Sequence, residues 1–368
     1  MCRGARAAGK CYVRRVKDTL LRAGAKAALS GPLVRVLGRG AHEALDPQIA
    51  AVLALQKLMR LPALETMDPP RARRFAEAGL TPLDVPIAPM ERVIDTSVAR
   101  AGLAPRGTAA GSAELDAGAA GSIPVRIYVP FRAGPHWIVY LHGGGGVIGS
   151  IGASERFTRL LAATTGMTVA SVGYRLGPED KHPAAIEDAC AAWDALVARV
   201  PRSGKAVVAG DSFGGFLAAH VDRYAMIRGT RQPDLQLLIY PIVDLTLTSP
   251  TIEQFGDGYL LTRSMMQWFR SQYLRDTDDR KVPSPAYWDD LTGAAPAVVA
   301  TAGFDPLVAE GDHHADRLRR AGTLVRHRRY PGLIHGFISL AGGVSAARAA
   351  VDELCADVIE LLAEHARR

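Results

Sequence analysis

Gly210-Asp211-Ser212-Phe213-Gly214-Gly215 is the stretch on which the fold turns. It fits G-x-S-x-G, in which a sharp strand-to-helix turn lifts a serine off the edge of a sheet. The flanks agree with that reading. Lys205-Ala206-Val207-Val208-Ala209 is a short apolar run that reads as a buried strand, and Phe216-Leu217-Ala218-Ala219-His220-Val221 reads as the start of a helix. Gly210 and Gly214 lack the Cβ atoms that would crowd such a turn. The helix N-terminus then aims backbone N–H groups at whatever charge develops near Ser212.

Outward from this turn, strands and helices alternate. Ile123, Val125, Ile127 and Val129 alternate with Pro124, Arg126 and Tyr128, the pattern of a half-buried strand. Further strands are predicted at 137–141, 168–172, 235–240, 297–301 and 323–329, and helices at 152–165, 184–199, 308–321 and 345–365. The alternation predicts an α/β fold, a mostly parallel central sheet with helices on both faces. Upstream, Ile49, Val52, Leu53, Leu55 and Leu58 recur at helical spacing after Asp46-Pro47, a cap followed by a first-turn proline, and predict helix over 46–80. Residues 81–120, rich in Pro, Gly and Ala, read as irregular connection, and residues 245–290 break the rhythm with aromatic and polar side chains.

Composition narrows the function classes. The chain has 368 residues, 48% of them apolar, enough for a large core. No apolar run reaches the roughly 18 residues of a membrane span. The net charge of +7 is unevenly placed: residues 1–40 hold ten of the 44 basic and one of the 37 acidic residues, a charge of +9. The remainder carries −2, so nucleic-acid binding by the body is not expected. The basic segment reads as a solvated extension, with weak contact to an anionic membrane as the sharper alternative. It has no continuous apolar stretch of the signal-peptide kind. Cys2, Cys11, Cys190 and Cys355 show no metal or redox spacing, so reduced thiols and a cytoplasmic location are expected.

A serine nucleophile needs a base, and the base needs a group that orients it. In enzymes built on such a nucleophile elbow, the chain order is Ser, then Asp or Glu, then His. Among the downstream acids, Asp305 follows the strand 297–301 by the short loop Ala302-Gly303-Phe304, which puts it at the carboxyl end of a strand. The competing reading makes it a cap for helix 308–321. Among His220, His313, His314, His327, His335 and His365, only His335 lies in a short loop after a strand. His313 and His314, beside Asp312 and Asp316, hint at a metal, but adjacent residues on a helix point apart, and a solvated face is expected there. Upstream, His142-Gly143-Gly144-Gly145-Gly146 follows the strand 137–141, and its N–H groups with that of Phe213 could meet an oxyanion. A phosphate cradle is the alternative, but no G-K-[ST] follows.

Together these motifs resemble the hormone-sensitive-lipase-like esterases, bacterial family IV of the α/β-hydrolases. The resemblance covers about 120–342, and more loosely 45–365. It rests on His142-Gly143-Gly144-Gly145, Tyr174-Arg175-Leu176-Gly177-Pro178-Glu179, His182-Pro183-Ala184-Ala185, the Ser212 turn, Asp305-Pro306-Leu307 and His335-Gly336-Phe337. It implies Ser212 as nucleophile, Asp305 as acid, His335 as base, and Gly144, Gly145 and Phe213 as donors to the oxyanion, with His142 structural. It also implies a lid from about 41–90 and 245–290, within a hydrolase domain over 41–368 that follows the basic extension 1–40. Four positions depart from the family pattern: Phe213 replaces an alanine, Gly146 stands where a large residue is common, Gly177 replaces an alanine, and Ala309 an aspartate. Phe213 is expected to stand near the nucleophile and limit room for the acyl group, with Gly146 opening that wall.

The expected activity is hydrolysis of short- to medium-chain acyl esters through an acyl-enzyme, with no cofactor or metal. A small-molecule ester is the expected partner, nucleic acid is not, and a homodimer and membrane contact by the basic segment stay open. Amide or carbamate hydrolysis by the same residues is the alternative within enzymes. A non-catalytic small-molecule receptor is the alternative outside them, and the presence of His335 separates the two. Residues 1–40 are expected to be dispensable for the chemistry.

Overall fold

A computed structural model of the chain describes residues 42–79, 82–100 and 121–365, together with Leu29, Val34, Val36 and Gly40. Among the described residues eight strands form one sheet: β1 (Arg92–Ala99), β2 (Ser122–Val129), β3 (Trp137–Leu141), β4 (Thr168–Val172), β5 (Ala206–Asp211), β6 (Leu235–Ile239), β7 (Ala297–Phe304) and β8 (Val325–Ile334). Their order is β1-β2-β4-β3-β5-β6-β7-β8. β1 and β2 run antiparallel, as do β2 and β4, and from β4 onward every pair is parallel. β4, β6 and β7 are buried along their whole length, and β3 from Ile138 onward, as parallel strands covered on both faces should be. At the centre, β3 has β4 on one side and β5 on the other, so the winding direction reverses between the loops after β3 and β5. Ligand sites of α/β sheets lie at such a point, outside the carboxyl ends of the strands.

The helices are α1 (Pro47–Leu58), α2 (Pro69–Gly79), α3 (Glu155–Thr165), α4 (Ala184–Val197), α5 (Phe213–Arg228), α6 (Pro250–Phe255), α7 (Arg263–Tyr273), α8 (Val308–Arg320) and α9 (Ser345–His365). α3 and α9 share one apolar cluster with the sheet, and α4, α5 and α8 share another. α9 shows why: Ala347, Ala350, Val351, Leu354, Val358, Leu361 and Leu362 are buried at the spacing of one helical stripe. α3 and α5 end on Gly166 and Gly229, both left-handed, the residue type that conformation favours. A third apolar cluster joins Leu64, Met67 and Ala72 to Ile252, Leu261, Met266 and Phe269, and it includes Val147 and Leu307 from loops at the carboxyl edge of the sheet. No helix among the described residues is long and apolar enough to cross a membrane.

Several expectations change. The helix foreseen over 46–80 is two, because Pro62 and Pro69 cannot donate into a continuous helix; between them lies a single tight turn, Leu64–Thr66. The Asp46 cap is as expected, its carboxylate accepting from the N–H groups of Gln48 and Ile49 at 2.8 and 3.1 Å. Within the segment read as irregular lies β1, an edge strand whose Val93 and Ile94 face water, so its apolar residues gave no inward-facing alternation. His314 is not on a solvated face: it is buried. The basic segment lies mostly outside the described residues, but Leu29 and Val34 are buried in the main core, and the Leu29 carbonyl accepts from Gln48 Nε2 at 2.8 Å. A deletion that spares the fold should therefore stop short of Leu29.

Candidate active site

The turn at Ser212 needs its glycines for close approach. A Cβ on Gly210 would lie 2.2 Å from the Gly214 carbonyl, and one on Gly214 would lie 1.9 Å from the Leu141 carbonyl. The elbow thus packs backbone on backbone, against itself and against the end of β3. Ser212 adopts φ 54° and ψ −117°, a strained conformation for a residue with a Cβ. Its N–H donates to the Ile239 carbonyl at 2.8 Å, which ties the turn to β6.

β7 runs to Phe304 and β8 to Ile334, so the two loops expected before Asp305 and His335 are strand. Each residue follows its strand directly. The pairing of β7 with β8 shifts register between Ala302 and Phe304. His335 Nδ1 lies 2.7 Å from Asp305 Oδ2, and His335 Nε2 lies 3.0 Å from Ser212 Oγ. Asp305 is fully buried, and its other oxygen accepts from the Leu307 N–H at 2.8 Å. Asp305 is not the cap of α8, whose N-cap is Leu307 without a side-chain bond: one of its oxygens closes a turn just ahead of the helix and the other faces the imidazole. Tyr240 packs its ring 4.6 Å from that of His335. With the carboxylate as acceptor, the imidazole carries its proton on Nδ1 and turns the lone pair of Nε2 to the serine hydroxyl.

The glycine loop faces this line of residues. Phe213 is the first residue of α5, so its N–H has no acceptor in its own helix. Among the described residues nothing accepts from the N–H groups of Gly144 or Gly145. Gly144, Gly145 and Gly146 have φ 125°, 61° and 73°, backbone that residues with side chains rarely adopt. A Cβ on Gly145 would fall 2.3 Å from the Phe269 ring of α7. His142 is buried behind the loop, where burial holds its imidazole down to about 4. Tyr174 Oη donates to the His142 carbonyl at 2.6 Å, and the two rings stack.

The ring of Phe213 does not wall the pocket. It is 1% exposed and lies in the core with Phe216, Tyr174 and Tyr273. A Cβ on Gly146 would meet its Cζ at 2.8 Å. The two departures are thus one large-for-small exchange: the phenylalanine occupies the space that Gly146 leaves empty. Gly177 has a similar reason, since a Cβ there would lie 2.6 Å from the Gln272 carbonyl at the end of α7.

Two residues with parts in this geometry, Asp211 and Arg73, were not singled out from the sequence. Asp211 Oδ1 accepts from the Gly143 N–H at 2.8 Å and from Tyr140 Oη at 2.5 Å, which joins the elbow to the glycine loop. Burial pushes its carboxyl above the ordinary range. Its place beside Ser212 was the available signal. Arg73, on α2, reaches the Val147 carbonyl at 2.8 Å, and nothing in its local sequence marks it. Glu310 is buried on α8 and accepts from the N–H groups of Val243 and Asp244 at 2.8 and 3.1 Å, away from His335. Among the described residues no group of three or more His, Cys, Asp or Glu could hold a metal.

Comparison with known proteins agrees with the fold. A family model described as an alpha/beta hydrolase fold matches residues 138–339. The carboxylic ester hydrolase LipN of Mycobacterium tuberculosis is 35% identical, over 92% of this chain and 91% of its own length. The ethyl acetate hydrolase of Pseudomonas putida is 35% identical over 66% of this chain and 79% of its own. Among solved structures, an ester hydrolase from the metagenome of Lake Arreo, in complex with a bipyridine phosphonate derivative, is 32% identical with a TM-score of 0.77, covering 87% of this chain and 99% of that one. A hyperthermophilic esterase from the archaeon Pyrobaculum calidifontis is 34% identical with a TM-score of 0.75, covering 86% and 98%. The chain belongs to the α/β-hydrolases, and within them to the hormone-sensitive-lipase-like esterases.

Proposed function

We propose that this chain, a carboxylic ester hydrolase by family, works through an acyl-enzyme on Ser212. The observation that carries the reading is the unbroken line Ser212 Oγ, His335, Asp305, at 3.0 and 2.7 Å. Ser212 Oγ attacks the ester carbonyl as His335 Nε2 takes its proton. Asp305 keeps the other imidazole proton on Nδ1 and stabilises the charged ring. The N–H groups of Gly144, Gly145 and Phe213 take up the charge on the carbonyl oxygen. The intermediate collapses as His335 returns the proton to the departing alcohol. Water, activated by the same nitrogen, then releases the acid. The reaction needs the Nε2 lone pair of His335 free to take the serine proton.

The helices packed over the carboxyl edge, α2, α6 and α7, serve in this reading as a lid that favours short- to medium-chain acyl esters. The support is the apolar cluster they share with Val147 and Leu307. A buried Phe213 removes one of the two reasons for expecting a small pocket, and the lid is the reason left. A cytoplasmic location, a homodimer and weak membrane contact by the basic segment belong to the same proposal and rest on the sequence alone. A receptor would have no need of a base within hydrogen-bonding distance of the serine, which favours the enzyme.

Hydrolysis of p-nitrophenyl esters from C2 to C12 by wild type and Ser212→Ala tests the proposal. The expected result is faster turnover of C4 than of C12, and a loss of at least about a thousandfold in the variant. Retained activity in Ser212→Ala would overturn the nucleophile, and a preference for C12 would overturn the chain-length reading.

A further inference from the structure

A run of glycines has no side chains by which a protein can hold it, so its position must be set through its backbone. In the loop after β3, the Gly144 carbonyl is used internally, accepting from the N–H groups of Val147 and Ile148 at 3.0 and 2.9 Å. The carbonyls of Gly146 and Val147 are held from outside. Gly146 accepts from the Gly177 N–H at 2.8 Å, and Val147 accepts from Arg73 Nε at 2.8 Å. The same guanidinium reaches the Gly177 carbonyl through Nη2 at 2.9 Å. It therefore holds Val147 directly and Gly146 by way of Gly177. Glu179 completes the fork, accepting from Nη1 and Nη2 at 3.0 and 2.6 Å.

The two kinds of bond differ in surroundings. The Arg73 and Glu179 side chains are 26% and 52% exposed, where an ion pair adds little. The bonds to the two carbonyls are part-buried, and Val147 is fully buried among the side chains of α2, α6 and α7. The donors are spread along a rigid planar fork, a geometry that lysine cannot reproduce. Glu179, quoted earlier only as part of a motif, accepts from the Nη1 and Nη2 groups of the fork.

We propose that Arg73 is a positioning residue for the oxyanion loop. By fixing the Val147 and Gly177 carbonyls it keeps the N–H groups of Gly144 and Gly145 aimed at the carbonyl oxygen under attack at Ser212. Helix α2, far from Ser212 in the sequence, is thereby coupled to the rate of acyl transfer. The inference rests on the acyl-enzyme reading given above.

The test is steady-state hydrolysis of p-nitrophenyl butyrate by Arg73→Ala, Arg73→Lys, Glu179→Gln and Ser212→Ala, with kcat and KM read separately and the pH profile of kcat recorded. Complete loss of one oxyanion donor lowers kcat by about 10²–10³-fold. Misplacing the donors should cost less, so Arg73→Ala is expected to lose about ten- to a hundredfold in kcat. KM should stay within about threefold and the pH profile should keep its midpoint, since His335 and Asp305 are untouched. Arg73→Lys should fall between this variant and wild type. Glu179→Gln leaves both carbonyl bonds in place and should lose less than about threefold. A wild-type kcat in Arg73→Ala, a raised KM at unchanged kcat, or equal losses in Arg73→Ala and Glu179→Gln would each overturn the inference. If Arg73→Ala does not fold, Arg73→Lys decides, and wild-type kcat there overturns it. Activity in Ser212→Ala would sink the acyl-enzyme reading, whereas a dead Ser212→Ala beside a fully active Arg73→Ala sinks this inference alone.

Discussion

The line of Ser212, His335 and Asp305 and the glycine loop opposite it are held in different ways. Each residue of the line stands at the end of its own strand, β5, β7 or β8. Its geometry is settled by strand register and by turns of one or two residues. The loop after β3 is tied to its neighbours at the sheet edge through Gly143 to Asp211 on the elbow, and through His142 and Gly146 to Tyr174 and Gly177 after β4. Its far side leans on the helical layer: on Phe269 against Gly145, and on Arg73 against the Val147 carbonyl. Nucleophile and base are thus properties of the sheet, while the site for the developing charge is shared between the sheet and the helices above it. A disturbance of that layer should reach the oxyanion before it reaches the triad.

The largest effect expected on the sheet side comes from Asp305→Asn. Asparagine keeps a side-chain oxygen for the turn ahead of α8, so the fold should survive. It favours the wrong imidazole tautomer, so kcat should drop by about 10⁴-fold, read in ester hydrolysis beside a thermal melt. A modest loss would mean that Asp305 chiefly closes that turn. Next is Phe213→Ala, which separates a ring in the core from an N–H at the site. The variant should lose about 3–5 kcal/mol of stability, the range for emptying a phenylalanine site. Its kcat, measured where it is folded, should stay within a few-fold of wild type because the backbone donor remains. A large fall in kcat would show that the ring also sets the loop.

A smaller effect tests the helical side. Gly145→Ala introduces a Cβ against Phe269 at positive φ and should lower kcat by about ten- to a hundredfold. Adding Phe269→Ala should return part of that loss if the contact with α7 is the cause, and none if the backbone strain is. The smallest effect uses pH. Burial holds His314, on α8, down to about 3, and His142, behind the glycine loop, down to about 4. Both stay neutral in the folded chain, whereas the unfolded chain binds a proton on each near 6.5. Each contribution is therefore complete above about pH 6.5 and shrinks as the pH falls toward the folded value. His314→Leu should remove up to about 1.4 kcal/mol per pH unit from the slope of stability between pH 6 and 4.5, seen in urea unfolding. An unchanged slope would place His314 in contact with water.

What the sequence determined by itself was local in origin. The strand, elbow and helix around Ser212, the alternation that makes the sheet, and Asp305 and His335 at strand ends all follow from neighbours within a few residues. Polarity period, turn chemistry and glycine placement act at that range. Even the slips were local: β1 went unread because an edge strand turns apolar residues to water, and the loops before Asp305 and His335 proved to be extra strand. Tertiary structure alone decided whatever joins distant segments. Phe213 and Gly146 could be read as two departures, but only packing shows one filling the space the other leaves. Arg73 is one arginine among many on a polar helix face until the fold brings the carbonyls of Val147 and Gly177 within reach of its fork. Hydrogen bonds and packing depend on separation in space, and the chain written as a line carries that information only where neighbours in sequence are also neighbours in the fold.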